Sequence, residues 1–206
     1  LANIANDPSV ELNPNLSWEV NVLATQKLVE KAITNKVKHF IFASSGSVYG
    51  IKKEKNVTEN LSLLPISTYN KTKMVAERIL KSYENKIKIH SIRPATVCGY
   101  SPRQRLDVVV NILTNLAYHK KEITVLGGDQ LRPNIHIVDM VRAYDCLINA
   151  KEELVSGKIF NAGTEFQMDG SQFDVLFEDG DMFKIGNMMA KVMHTPGHTP
   201  ACVTYV

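Results

Sequence analysis

The stretch Val37-Lys38-His39-Phe40-Ile41-Phe42-Ala43-Ser44-Ser45-Gly46-Ser47 decides the fold, because a β-branched and aromatic run ends in a turn of small residues. That is a strand stopping at a loop. Upstream, a helix is expected over residues 13–35, opened by Asn13-Pro14, with Val20, Leu23, Ala24, Leu28, Val29 and Ile33 at helical spacing. Downstream, a polar loop through Pro65 leads to a second helix over residues 67–83, and residues 87–92 read as the next strand, stopped by Arg93-Pro94. The alternation continues with a helix at 106–119, a short strand at 123–126, a helix at 138–149 and a strand at 158–161. Strands alternating with long helices make a parallel sheet covered on both faces, an α/β doubly wound architecture whose ligands sit beyond the carboxyl ends of the strands. The turn at 44–47 and the segment 93–99 occupy that position.

After Gly163 the pattern changes to a period near two. Phe173-Asp174-Val175-Leu176-Phe177, Met182-Phe183-Lys184-Ile185 and the run 189–193 predict a short β-meander, with a boundary at about residue 164. The domains expected are therefore 1–163 and 164–206. At 206 residues and 44% apolar composition the chain can bury a sizeable core. A net charge of +3 without a Lys/Arg cluster argues against nucleic acid or an anionic membrane as partner. No apolar run approaches the roughly 18 residues a membrane helix needs. Cys98, Cys146 and Cys202 are odd in number and free of C-x-x-C spacing, and they predict reduced core thiols. With Leu at position 1 and no charged region before an apolar stretch, no signal peptide is expected, and the location predicted is cytoplasmic. The run Ala201–Val206 stops like a strand cut short, so the chain is expected to be a fragment.

Tyr69 and Lys73 are four residues apart on the second helix, so both side chains project from one face. An ammonium beside a phenol favours the phenolate and moves it toward a general base. The spacing alone is weak, since chance supplies it and Tyr49…Lys53 is a second copy lying in the polar loop, where no helix aligns it. Ser45, at the strand end, adds a hydroxyl that could share a substrate oxygen with Tyr69.

Residues 1–163 resemble the extended short-chain dehydrogenase/reductase family, in its NAD-dependent epimerase/dehydratase branch acting on nucleotide sugars. Six stretches in order carry the resemblance: Asn21–Thr25, Ser44–Gly50, Tyr69–Lys73, Arg93–Gly99, Arg132–Asp139 and Phe160–Gly163. The resemblance implies a truncated Rossmann-like sheet and a nucleotide-sugar epimerase or oxidoreductase. In it Tyr69 is the acid/base, Lys73 lowers the Tyr69 pKa and bonds the nicotinamide ribose, and Ser45 orients the sugar oxygen. Asn21 would hold the helix near the cofactor, Pro94 would lie beside the nicotinamide, and Thr96 and Arg132 would contact the sugar and its diphosphate. NAD is the implied cofactor, with NADP not excluded. Gly46 and Ser47 stand where dehydratases carry an Asp-Glu pair, which argues for epimerisation or simple oxidoreduction over dehydration. No G-x-x-G-x-x-G occurs in the chain, so NAD binding is expected to be weak and activity impaired. A truncated sheet exposes its edge, and association, in the simplest case a homodimer, is expected.

The end of the chain carries a second resemblance. His194-Thr195-Pro196-Gly197-His198-Thr199-Pro200, after Asp179-Gly180-Asp181, is similar to a segment of the metallo-β-lactamase superfamily, of the glyoxalase II and persulfide dioxygenase-like kind. There the position of His198 is a metal ligand. The chain has no H-x-H run to complete the ligand set, so no metal is expected here. A metal-dependent hydrolase and a non-catalytic chimeric fragment are the alternatives to the redox reading.

Overall fold

The computed structural model describes residues 3–52, 54, 56–125, 133–163, 182–185, 188–194 and 203–205. The helical start opens with two short pieces, each capped by an asparagine. Asn6 accepts from the Ser9 amide (2.7 Å) to open α1 (Asp7–Leu12), and Asn13 accepts from the Leu16 amide (3.0 Å) to open α2 (Pro14–Trp18). A π-helical turn (Glu19–Leu23) then passes into α3 (Ala24–Thr34). Next come β1 (His39–Ala43), a 3-10 turn (Gly46–Tyr49) and α4 (Thr68–Lys81), whose N-cap Ser67 accepts from the Asn70 amide. β2 (Lys88–Pro94), β3 (Thr96–Cys98), α5 (Val109–Lys120), β4 (Ile123–Thr124), β5 (Asn134–His136), α6 (Ile137–Asn149), α7 (Glu152–Val155) and β6 (Ile159–Ala162) follow. β7 (Met182–Ile185), β8 (Met188–His194) and β9 (Val203–Tyr205) complete the described elements.

The chain divides into two compact units, Leu1–Thr96 with Val138–Thr164, and Val97–Ile137 with Glu165–Val206. In the first, β1, β2 and β6 form a parallel sheet in the order β1-β2-β6, with Phe42 opposite Ser91 and Ile92 opposite Phe160. Val29 of α3, Ala76 and Leu80 of α4, Phe42, Ile87 and Ile89 make one buried cluster, so the helices cover the sheet with the apolar stripe their spacing provides. This is the α/β architecture read from the sequence. At its start His39 Nε2 lies 2.8 Å from His90 Nε2, and Phe160 stands edge-on to His90. His90 is 1% exposed. Burial, with help from His39 and Lys88, pushes its pKa down to about 4, and burial also lowers His39.

In the second unit, β4, β9, β8 and β7 form an antiparallel sheet in that order, with β7 and β8 as a hairpin. The meander expected of the C-terminal segment is present in these strands; the run at 173–177 lies outside the described residues. Two expectations need correction. The strand at 123–126 is expected within the parallel alternation, yet among the described residues β4 spans Ile123–Thr124 and pairs antiparallel with β9. A two-residue strand has too little ladder to enforce its own register, so the partner decides. Cys146, expected in the core, is exposed on α6, whose buried face is marked by Met140 and Leu147. Cys98 is half-buried and free, and Cys202 lies outside the described residues. No described helix is long and apolar enough to cross a membrane.

Candidate functional site

The expected site residues of the first unit gather at the carboxyl ends of β1 and β2. Lys73, 3% exposed, donates from Nζ to the Ala43 carbonyl at the last residue of β1 (2.8 Å) and to Asn3 Oδ1 (3.3 Å). The same Nζ lies 5.8 Å from the Tyr69 ring centre and 5.1 Å from that of Phe42. Helical spacing thus places phenol and amine side by side, and the amine pins the helix to the strand end. Burial pushes the Lys73 pKa down to about 8, while the Glu77 carboxylate one turn further along the helix opposes that shift.

Ser45 begins the 3-10 turn as its N-cap. Its Oγ accepts from the Ser47 amide (3.3 Å) and lies 2.7 Å from Ser47 Oγ, which in turn donates to Asn70 on α4, the residue after Tyr69. Gly46 fits closely over the end of β2, since a Cβ there would stand 3.1 Å from the Pro94 carbonyl oxygen. Ser45, Tyr69, Lys73 and Pro94 therefore share one corner. Beside it, Ser44 Oγ is buried without a hydrogen-bond partner among the described residues. Asn21 is fully buried in the π-helical turn. Its amide donates to Thr72 Oγ1 on α4 (3.2 Å) and to the Ile4 carbonyl (3.0 Å), and its oxygen accepts from the Ile4 amide (2.9 Å). Thr96 is half-buried at the start of β3. Arg132 and His198 lie outside the described residues.

The chain belongs to the NAD dependent epimerase/dehydratase family. The family's model matches residues 1–163. An uncharacterized UDP-glucose epimerase of Bacillus subtilis, YtcB, is 33% identical over 146 residues, 70% of this chain and 46% of that protein. The solved UDP-glucuronic acid 4-epimerase of Bacillus cereus, in complex with UDP-glucuronic acid and NAD, superposes with a TM-score of 0.69 at 31% identity. The match covers 79% of this chain and 52% of that one. The chain thus spans about half the length of these members of the epimerase/dehydratase family. The second resemblance has a counterpart as well: a Burkholderia pseudomallei protein described as a probable metallo-hydrolase is 62% identical over 52 residues, 25% of this chain and 18% of that protein. Among the described residues, no group of three or more His, Cys, Asp or Glu side chains could hold a metal ion.

Sequence reasoning missed the buried polar chain behind the corner. Glu77 accepts two hydrogen bonds from Arg93, at 2.9 Å and 2.6 Å. Arg93 Nη1 donates to the Tyr49 hydroxyl (2.7 Å), and that hydroxyl donates to Asn161 Oδ1 on β6 (2.8 Å). One signal was available: Glu77 continues the 69/73 stripe by another turn, and an arginine in a central strand covered on both faces needs a partner.

Proposed function

We propose that this chain carries the catalytic corner of an NAD-dependent nucleotide-sugar epimerase or oxidoreductase, with Ser45, Tyr69 and Lys73 as the proton-handling set. The observation that carries the reading is the buried Lys73 ammonium, held against the strand end beside the Tyr69 ring. Family membership and a structural relative that holds a UDP-sugar with NAD support it. A bound NAD would supply a hydride acceptor for a sugar carbon. Tyr69 takes the proton of the hydroxyl on that carbon, and Ser45 aligns the oxygen. Lys73 keeps positive charge next to the phenol as it becomes a phenolate. The residues fit a nicotinamide ribose in one respect: two acceptors use two of the three ammonium protons, which leaves one for a ribose hydroxyl. Asn21 and Pro94 would serve as cofactor-side residues, and Thr96 and Arg132 as sugar-side residues. Gly46 and Ser47 bring no acid to a leaving hydroxyl, which favours epimerisation or oxidoreduction over dehydration.

Incubation with UDP-glucose or UDP-glucuronic acid at high NAD, followed by NADH absorbance and sugar chromatography, tests the reading. Formation of NADH or of an epimer, lost in Tyr69→Phe, is the expected result; undiminished turnover in that variant refutes it. A second reading, a metal-dependent hydrolase, rests on the 52-residue likeness and predicts bound zinc or iron in the purified protein. On the first reading residues 1–163 act as the redox segment, and 164–206 are a joined piece of another family.

A further inference from the structure

A fully buried ion pair is poor evidence of stabilisation, since removing two charges from water costs about what their attraction returns. The Glu77–Arg93 pair, whose side chains are 6% and 2% exposed, therefore invites a different explanation. Its location supplies one. Glu77 lies one helical turn beyond Lys73, Arg93 immediately precedes Pro94, and Tyr49 closes the 3-10 turn that Ser45 opens. Each member is thus bonded into the element that presents one candidate site residue.

The geometry of the links is restrictive. A guanidinium gripping a carboxylate through two N–H groups fixes both distance and plane, which a single bond would not. The Tyr49 hydroxyl is used in both senses, accepting from Arg93 and donating to Asn161. Asn161 is itself held from the far side, by Glu59 at its amide (2.7 Å) and by the Val57 carbonyl at its side chain (2.8 Å). The Tyr49 ring also packs 4.8 Å from the Arg93 guanidinium. Helix, strand and turn are locked to one another behind the corner.

We propose that Glu77, Arg93 and Tyr49 are positioning residues, which set the spacing of the Tyr69/Lys73 helix against the Ser45 turn and the Pro94 strand end. The proposal rests on the catalytic reading of Ser45, Tyr69 and Lys73, but its test needs no turnover. Two variants of the 206-residue chain serve: Tyr49→Phe, which removes one oxygen, and Glu77→Gln/Arg93→Met, which removes both charges at similar volume. The first readout is amide hydrogen exchange at Val48 and Gly50, whose N–H groups bond to Ser45 and Ser47 across the turn. The second is the pH midpoint of Lys73 acetylation by acetic anhydride, read by mass spectrometry.

In both variants, exchange at Val48 and Gly50 is expected to rise about tenfold relative to Leu80 and Ile89 in the core. In Tyr49→Phe, which leaves Glu77 in place, the Lys73 midpoint is expected to move upward, toward ordinary lysine, as the loosened helix lets water reach the amine; the double variant also loses the Glu77 carboxylate that holds the midpoint up, so this readout is taken from Tyr49→Phe alone. Exchange that rises equally in turn and core, exchange that rises nowhere, or a Lys73 midpoint that does not move in Tyr49→Phe each overturn the proposal. If both probes respond while Tyr69→Phe keeps full turnover, the catalytic reading has failed and the positioning chain stands.

Discussion

Tyr49 and Tyr69 each head a Tyr-x-x-x-Lys stretch, and the fold uses them in opposite ways. Tyr49 ends a 3-10 turn, is 4% exposed, and has its hydroxyl held between a guanidinium and an amide oxygen. Tyr69 is half-buried on a regular helix, with a buried ammonium beside its ring. A phenol whose only proton is committed to Asn161 cannot exchange it with a substrate without unmaking the network that holds it. Spacing nominates a pair; the element that carries it and the partners that meet it decide what it does.

The comparison breaks most visibly through Arg93. Arg93→Met leaves Glu77 buried and unpaired, and urea unfolding is expected to show a loss of about 3–5 kcal/mol, largely recovered in Glu77→Gln/Arg93→Met. A loss of that size in the double variant as well would mean that the network around Tyr49 is ordinary core.

Acid titration must be separated from any effect on the tyrosines. His39 and His90 are held neutral in the folded state, with His90 near 4 against an unfolded value of 6.5. The unfolded chain therefore binds more protons between those values. Stability is complete above about pH 6.5 and falls toward pH 4, at up to about 1.4 kcal/mol per pH unit per proton. Denaturant midpoints measured across that range should show the fall, and His90→Gln should flatten it. An unchanged slope in His90→Gln would place the acid sensitivity elsewhere.

A smaller effect separates the two phenols directly. Tyr49→Phe strands one Arg93 donor in the core and should cost about 1–3 kcal/mol, whereas Tyr69→Phe should stay within about 1 kcal/mol, as for a half-buried site. The reverse order by thermal or urea unfolding would invert the assignment of structural and functional tyrosine.

Much of this was legible before the fold was known. The apolar spacing over residues 67–83 marks α4, on which Tyr69 and Lys73 share a face, and β1 and β2 announce themselves by β-branched runs, the first ending in small residues and the second at Arg93-Pro94. The positioning chain was not legible, because its bonds join residues far apart in sequence, Tyr49 to Asn161 above all. Tyr49 read as a loop residue because no local periodicity marks a partner on another strand. The pairing of β4 escaped for the same reason, since two residues carry no pattern of their own. The C-terminal likeness was legible through a histidine motif, yet its key residue, His198, lies outside the described residues, as does Arg132.

The central claim is that burial and partners, not spacing, make Lys73 the companion of a working phenol. The pH midpoint of its acetylation in the unmodified chain tests this most directly. The account predicts a midpoint near 8, set by burial against the opposing pull of Glu77. A midpoint at the ordinary lysine value of about 10.5 would show a solvated amine and contradict it.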